Sequence, residues 1–172
     1  PLLARLGPSL LVSSDLCRAS ETAQALADVT GMQILLDPDL RETNGGAFQG
    51  LTGQEIRERY PADWAAWAGG DPHHRNPGGG ESRTDVAARM LGAVLRAAEA
   101  AGDGLAVLAT HGGAARLAVA QLIGLPLTRV GLAVPLLSDE ARERRIREVV
   151  VLRNDLGHPE FLAARIGQVV GF

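Results

Sequence analysis

The chain of 172 residues contains no lysine, since all 17 of its basic residues are arginine, and it has one cysteine, Cys17. Without lysine there is neither a Walker-type phosphate-binding lysine nor a Schiff-base nucleophile. A single cysteine excludes an internal disulfide and a zinc site built on paired cysteines. We expect Cys17 to be a small buried hydrophobic residue. Any catalytic chemistry therefore has to come from arginine, histidine, carboxyl and hydroxyl groups.

Long apolar runs and a strong net charge are also absent. No apolar stretch approaches the roughly 18 residues of a membrane span, and no secretory signal is visible. A net charge of -3 does not favour a nucleic acid or an anionic membrane as a partner. With 46% hydrophobic and 22% charged residues, the composition is typical of a soluble globular protein. We expect a single cytoplasmic domain over residues 1–172, and a homodimer is compatible with this composition.

Short apolar strand patterns alternate with helical patterns along the chain. The predicted strands are "SLLVSS" (9–14), "QILLD" (33–37), "GLAVLAT" (104–110) and "REVVVLRN" (147–154). The predicted helices cover residues 1–6, 15–26, 54–59, 82–101, 114–123 and 138–148. Ser14 or Asp15 is expected to cap the second of these helices, and Ser82 with Asp85 forms a capping-box pattern. Such alternation predicts an α/β fold of three layers, α/β/α, around a mostly parallel sheet.

Polar residues follow two of these strands, at the edge where ligands of parallel α/β sheets bind. His111 ends the strand 104–110 and is followed by two glycines and a helix, so its imidazole is expected beside free backbone N–H groups. These groups and the helix dipole favour an anion. An isolated His-Gly-Gly is equally compatible with a histidine that only caps the helix.

Two further residues fit an anion site, although each has an ordinary alternative. Arg18, in "SSDLCRASETAQAL", follows the first strand and carries a fork of donors that suits phosphate. Glu42, in "LRETNGGAFQG", follows the turn at Pro38, and a carboxyl group beside a phosphate can protonate a leaving alkoxide. Taken alone, Arg18 is compatible with a solvated arginine, and Glu42 with a surface glutamate paired with Arg41.

Four segments in order carry a family resemblance: "SSDLCRASETAQAL" (13–26), "LRETNGGAFQGLT" (40–52), "GGGESRTDVAAR" (78–89) and "ATHGGAARL" (109–117). With these spacings the chain resembles the histidine phosphatase superfamily, the phosphoglycerate mutase-like proteins, over roughly residues 1–125. Within it, the second and third segments are similar to glucosyl-3-phosphoglycerate phosphatases of actinobacteria.

The resemblance implies a phosphoglycerate mutase-like fold and a metal-independent and cofactor-free phosphatase that works through a phosphohistidine. Its partner would be a small phosphorylated metabolite, a phosphoglycerate-type or sugar phosphate. Arg18, His111 and Gly112 match residues that hold the phosphate, and Glu42 matches the family's proton donor. The catalytic set implied for this chain is thus Glu42, His111 and Arg18. Phosphoglycerate mutase activity is the alternative within the same family.

One element of the family pattern is absent from these residues. The family's nucleophile is a histidine in an Arg-His-Gly motif after its first strand, and no Arg-His-Gly occurs here. Because the chain begins with Pro1, we expect a preceding segment that carries this histidine and a central strand, without which the sheet would have a gap. The alternative is an inactive phosphate-binding or scaffold homologue.

Two other patterns have functional interpretations. Asp71, His73 and His74 lie close together and would fit a metal-dependent hydrolase, but adjacent histidines in a polar loop are more often solvated. Trp64 and Trp67, three residues apart, either pack a helix against the core or line a substrate entrance, and we expect core packing.

Overall fold

One sheet with helices on both faces accounts for most of the described residues. The structure is a computed structural model that describes residues 2–129, 147–153 and 160–166. The helices are α1 (Leu2–Arg5), α2 (Cys17–Thr30), α3 (Gly53–Arg59), α4 (Pro61–Ala68), α5 (Arg83–Ala101) and α6 (Gly112–Leu122). The strands are β1 (Leu10–Ser13), β2 (Ile34–Leu36), β3 (Ala106–Ala109), β4 (Arg147–Arg153) and β5 (Glu160–Ile166). Short 3-10 turns cover Pro38–Leu40, Gly46–Phe48 and Leu127–Arg129. None of the helices described is long and apolar enough to cross a membrane.

The strands form a five-stranded sheet in the order β2-β1-β3-β4-β5. The neighbours β2, β1, β3 and β4 are parallel, and β5 is antiparallel to β4. Ser13 lies opposite Ala109, so β1 and β3 end at the same edge of the sheet. The predicted gap is wrong for the described strands, because β4 pairs directly with β3.

Side chains of β1 and β3 alternate between two cores, one on each face of the sheet. Leu11 and Val107 pack with residues of α1 and α2, such as Leu3 and Leu26. On the other face, a second cluster of buried residues joins these strands to α5 and α6: Val12, Leu40, Val86, Met90, Val94, Leu108, Leu117 and several alanines. Strand side chains point alternately up and down, which is why each strand contributes to both cores. The predicted three-layer α/β/α fold is confirmed.

The ends of two helices differ in how they are capped. The predicted capping box of α5 is confirmed, because the Ser82 hydroxyl accepts the N–H of Asp85 and the Asp85 carboxylate accepts the N–H of Ser82. The predicted cap of α2 is wrong, since Leu16 occupies that position and no side chain caps the helix.

The first turn of α2 leaves Cys17 exposed, while Ala23 further along the helix is buried. The expectation of a buried cysteine is therefore also wrong.

Residues 44–81 contain more helix than the sequence suggested. The predicted helix 54–59 is present as α3, and α4 follows it after Tyr60, with Pro61 as its first residue. A backbone N–H in the first turn of a helix has no partner within the helix. Proline, which lacks this N–H, therefore suits the position. Most of the predicted helix 138–148 lies outside the described residues, and its last two positions belong to β4.

The capping box predicts an acid-dependent contribution to stability. The Ser82 hydroxyl and backbone N–H, helped by Arg75 and opposed by burial, hold the pKa of Asp85 below its ordinary value of 3.8. A lowered folded-state pKa adds stability above the unfolded value and loses it as the pH falls. We expect Asp85→Asn to lower the unfolding free energy by about 0.5–1 kcal/mol at pH 7, and by progressively less below pH 4. Urea unfolding followed by circular dichroism at pH 7, 5 and 3 measures this, and a loss that does not change with pH would contradict it.

Candidate active site

The aligned ends of β1 and β3 bring two chain segments together at one edge of the sheet. Ser14 follows β1 and donates its backbone N–H to the carbonyl of Ala109, 2.8 Å away. The helices α2 and α6 begin just beyond these strand ends, and they carry Arg18 and His111. Residues 93 positions apart in sequence thus become neighbours.

The imidazole of His111 is held on both sides. The Nε of Arg18 donates to Nδ1 of His111 over 3.0 Å, and Nε2 of His111 lies 2.9 Å from the hydroxyl oxygen of Ser14. Because a guanidinium only donates, Nδ1 accepts, and Nε2 of the neutral ring carries the proton donated to Ser14. His111 is 4% exposed. It occupies the N-cap position of α6 but makes no side-chain capping bond, so helix capping does not explain it.

The carboxylate of Glu42 lies at the N-terminus of α6. It accepts the N–H groups of Gly113 and Ala114, at 3.0 and 2.9 Å, and that of Thr43 at 2.8 Å. The first N–H groups of a helix have no partner within it, and the helix dipole favours a negative charge there. A Cβ at position 113 would lie 2.6 Å from Glu42 Oε1, so this approach requires a glycine. The alternative of a Glu42–Arg41 surface pair is wrong, because Arg41 pairs with Asp15.

Arg89 on α5 fixes the segment that carries Glu42, a role that the sequence did not reveal. Its guanidinium donates to the backbone carbonyls of Asp39, Arg41 and Glu42, at 2.7, 2.8 and 3.2 Å. It also forms a bidentate pair with Glu81, at 2.6 and 2.9 Å. The motif "GGGESRTDVAAR" contains both Glu81 and Arg89, but its spacing does not indicate that this pair holds the segment of residues 39–42.

The carboxylate of Glu81 also binds the chain that follows Glu42. Its Oε2 also accepts the N–H of Asn44, 2.8 Å away. Burial raises the pKa of Glu81, but the hydrogen bonds from Arg89 and Asn44 and the charge of Arg89 outweigh this and lower it overall. Glu81 therefore stays ionised and keeps Arg89 aligned on the Glu42 segment.

A cleft of about 270 Å³ opens beside Glu42. Its lining comes from the Glu42 loop, α4, the loop 69–82, and the first turns of α5 and α6: Thr43, Trp67, Asp71, His74, Asn76, Glu81, Arg83, Gly113, Arg116 and Leu117. Trp67 is 43% exposed, so the expected core packing of the two tryptophans is wrong. Trp64 and Trp67 instead stack on each other, with ring centroids 5.1 Å apart.

The residues considered for a metal do not converge. Asp71 accepts the backbone N–H of His73, and His74 lies closest to Asp63, with 3.5 Å between Nε2 and Oδ1. Across the part of the chain that the structure describes, no three histidine, cysteine or acidic residues are grouped so that they could hold a metal ion.

Comparison with known proteins identifies the family of this chain. Residues 1–138 match the family model of the histidine phosphatase superfamily (branch 1). Glucosyl-3-phosphoglycerate phosphatases of Mycolicibacterium vanbaalenii and Mycobacterium tuberculosis are 41% and 42% identical over 133 and 134 residues, which is 73% of this chain in both cases. The chain spans 58% and 59% of the length of these two relatives.

A solved structure shows the same likeness in three dimensions. The mycobacterial glucosyl-3-phosphoglycerate phosphatase in complex with inorganic phosphate superposes with a TM-score of 0.64 and 39% identity. The match covers 74% of this chain and 65% of that one. Because the family model covers most of the chain and the relatives agree with it, this chain belongs to the histidine phosphatase superfamily.

Proposed function

We propose that this chain forms the phosphate-binding and proton-transfer parts of a phosphatase that acts on a small phosphomonoester of the phosphoglycerate type. The observation that carries the proposal is the group of Arg18, His111 and Glu42 around the N-terminus of α6. Family membership and the names of the relatives support it.

Arg18, His111 and the N–H of Gly112 hold the phosphoryl oxygens in this proposal. A guanidinium fork and a helix N-terminus are donors that suit phosphate. The imidazole donates to a phosphoryl oxygen only when the phosphate replaces one of its hydrogen bonds to Arg18 and Ser14. These donors act on charge that spreads over the phosphoryl oxygens in the transition state, where such enzymes gain most of their rate. Ser14 keeps the imidazole oriented through its hydrogen bond to Nε2.

Glu42 serves as the general acid and base. In this proposal the phosphate binds the N–H of Gly112, next to the N–H groups of Gly113 and Ala114 that hold the Glu42 carboxylate, so the carboxyl group lies beside the ester oxygen. The nucleophilic histidine that the family resemblance implies forms a bond to phosphorus as the ester P–O bond breaks, and Glu42 protonates the leaving alkoxide. Glu42 then takes a proton from the water that attacks the phosphohistidine, and the P–N bond breaks.

Phosphate affinity tests the first part of the proposal. We expect Arg18→Gln to weaken binding of inorganic phosphate at least tenfold, because it removes a charge-assisted hydrogen bond. Isothermal titration calorimetry measures the affinity. Arg59→Gln is the matched control, since Arg59 is an exposed arginine of α3 that pairs with Glu55. Equal affinities for the two variants would contradict the assigned role of Arg18.

Turnover of two esters tests the roles of Glu42 and His111. We expect His111→Gln to lower kcat for both 3-phosphoglycerate and an aryl phosphate by about 10²–10³-fold. Glu42→Gln should cost about 10²–10⁴-fold with 3-phosphoglycerate and much less with the aryl ester, whose leaving group needs little protonation. Phosphorus NMR separates released phosphate from the 2-phosphoglycerate that a mutase would form.

Two other outcomes of the turnover experiment would contradict the proposal. Loss of activity with a chelator would favour the metal-dependent alternative. Phosphate binding without any turnover, by a protein that carries the nucleophilic histidine, would favour the inactive phosphate-binding homologue.

The contacts of Arg89 with Glu81 and with the Glu42 segment predict that an Arg89 variant loses both stability and activity. We expect Arg89→Met to lower the unfolding free energy by about 2 kcal/mol, less than for a fully buried pair because the Arg89 and Glu81 side chains are 17% and 22% exposed. Because Arg89 positions the Glu42 segment, kcat should fall more for 3-phosphoglycerate than for the aryl phosphate. Urea unfolding and the two kcat values measure these effects, and an equal fall for both esters would mean that Arg89 acts on stability alone.

A further inference from the structure

Two polar atoms in the wall of the cleft lack a hydrogen-bond partner among the described residues. They are the side-chain oxygen of Asn76, a residue that is 8% exposed, and Nε2 of His74. The nearest carboxylate to His74 is that of Asp63, at 3.5 Å, too far for a good hydrogen bond. Buried polar atoms are nearly always hydrogen-bonded, so these two are candidates for contact with a ligand.

The backbone holds Asn76 in this position. Its carbonyl accepts the N–H of Gly80 at 3.1 Å, which closes a tight turn. A Cβ on Gly80 would lie 2.7 Å from the Cβ of Asn76, so only glycine at position 80 allows this turn. The turn fixes the backbone of Asn76, and its buried amide oxygen, which has no partner among the described residues, can accept a hydrogen bond from a hydroxyl group that reaches it from the cleft.

Arg116 supplies a positive charge in the same cleft. It is half-buried, and within residues 2–129 its guanidinium makes no ion pair or hydrogen bond. Arg116 follows Gly112 by four residues, so the two lie on the same face of α6, about 6 Å apart along the helix axis. A short ester with its phosphate at Gly112 and a carboxylate at the other end spans this separation.

The other charged groups of the cleft are already engaged. Arg83 donates to the carbonyls of Trp67 and Thr128 and lies over the Trp67 ring, 5.9 Å from its centroid. Glu81 is paired with Arg89. Asp71 accepts the N–H of His73 and is the one carboxylate in the cleft wall without a cationic partner in the described chain. Arg116 is thus the cation that remains available to an anionic ligand.

We propose that the cleft is the binding site for the leaving group and that Asn76 and Arg116 determine its specificity. Asn76 accepts a hydrogen bond from a hydroxyl next to the phosphorylated carbon, and Arg116 pairs with a carboxylate. The exposed Trp67 covers one side of this group. The inference rests on the proposed function, because it takes the phosphate to lie at Arg18, His111 and Gly112.

Four ligands test this assignment in calorimetric titrations of the full chain, and two of them each lack one group of 3-phosphoglycerate. They are inorganic phosphate, 3-phosphoglycerate, glycerol 3-phosphate, which lacks the carboxylate, and 3-phosphonooxypropanoate, which lacks the hydroxyl. We expect Arg116→Gln to weaken 3-phosphoglycerate about tenfold, to the affinity of glycerol 3-phosphate, and to leave inorganic phosphate unchanged. Arg59→Gln should change none of the four affinities.

The contribution of Asn76 is measured first without any variant. The wild type should bind 3-phosphoglycerate about five- to tenfold more tightly than its deoxy analogue, and Asn76→Leu should remove this preference. Equal binding of the two ligands by the wild type would overturn the role of Asn76, even where Asn76→Leu fails to fold.

The same titrations separate this inference from the proposed function. If inorganic phosphate binds and depends on Arg18, but Arg116→Gln leaves the ratio of 3-phosphoglycerate to glycerol 3-phosphate affinity unchanged, the specificity assignment is wrong and the proposed function stands. If no phosphate compound binds, both are overturned.

Discussion

The parallel pairing of β1 with β3 is the constraint on which the rest of the site depends. Because Ser13 and Ala109 lie side by side, both strands end at the same edge, and the helices that follow them start there. Ser14, Arg18 and His111 meet only for this reason. A shift of one residue in this register would turn Leu11 and Val12 to the opposite faces and break both cores, so burial of the strands also fixes the geometry of the site.

Electrostatics at the N-terminus of α6 connect the fold to the proposed chemistry. The helix end attracts negative charge, and in this structure the carboxylate of Glu42 binds there. In the proposed function a phosphate binds at the same helix end, beside the carboxyl group proposed to protonate the ester oxygen. Arg89 holds the backbone of the Glu42 segment, so the position of the carboxylate at the helix end depends on Arg89 as well.

In the proposed function the cleft adds a second level of selectivity beside the phosphate site. The proposed phosphate site lies where β1 and β3 end, whereas the cleft is lined by residues that include the exposed tryptophan of α4 and the glycine-rich loop before α5. The cleft wall contains the Asn76 amide oxygen, which has no partner among the described residues, and Arg116, which follows Gly112 by about one helical turn. In the proposed assignment, substrate choice depends on these two side chains, which the phosphate site does not use.

The sequence by itself determined the alternation of strands and helices, the capping box of α5 and the order of the motifs that include Arg18, Glu42 and His111. Local periodicity and short motifs carry this information, because they depend on neighbours in the chain. Only the tertiary structure decided that Arg89 clasps the Glu42 loop, that Cys17 and Trp67 are exposed, and that β4 continues the sheet beside β3. Each of these depends on contacts between residues far apart in sequence, and no local pattern records which distant surface a side chain meets.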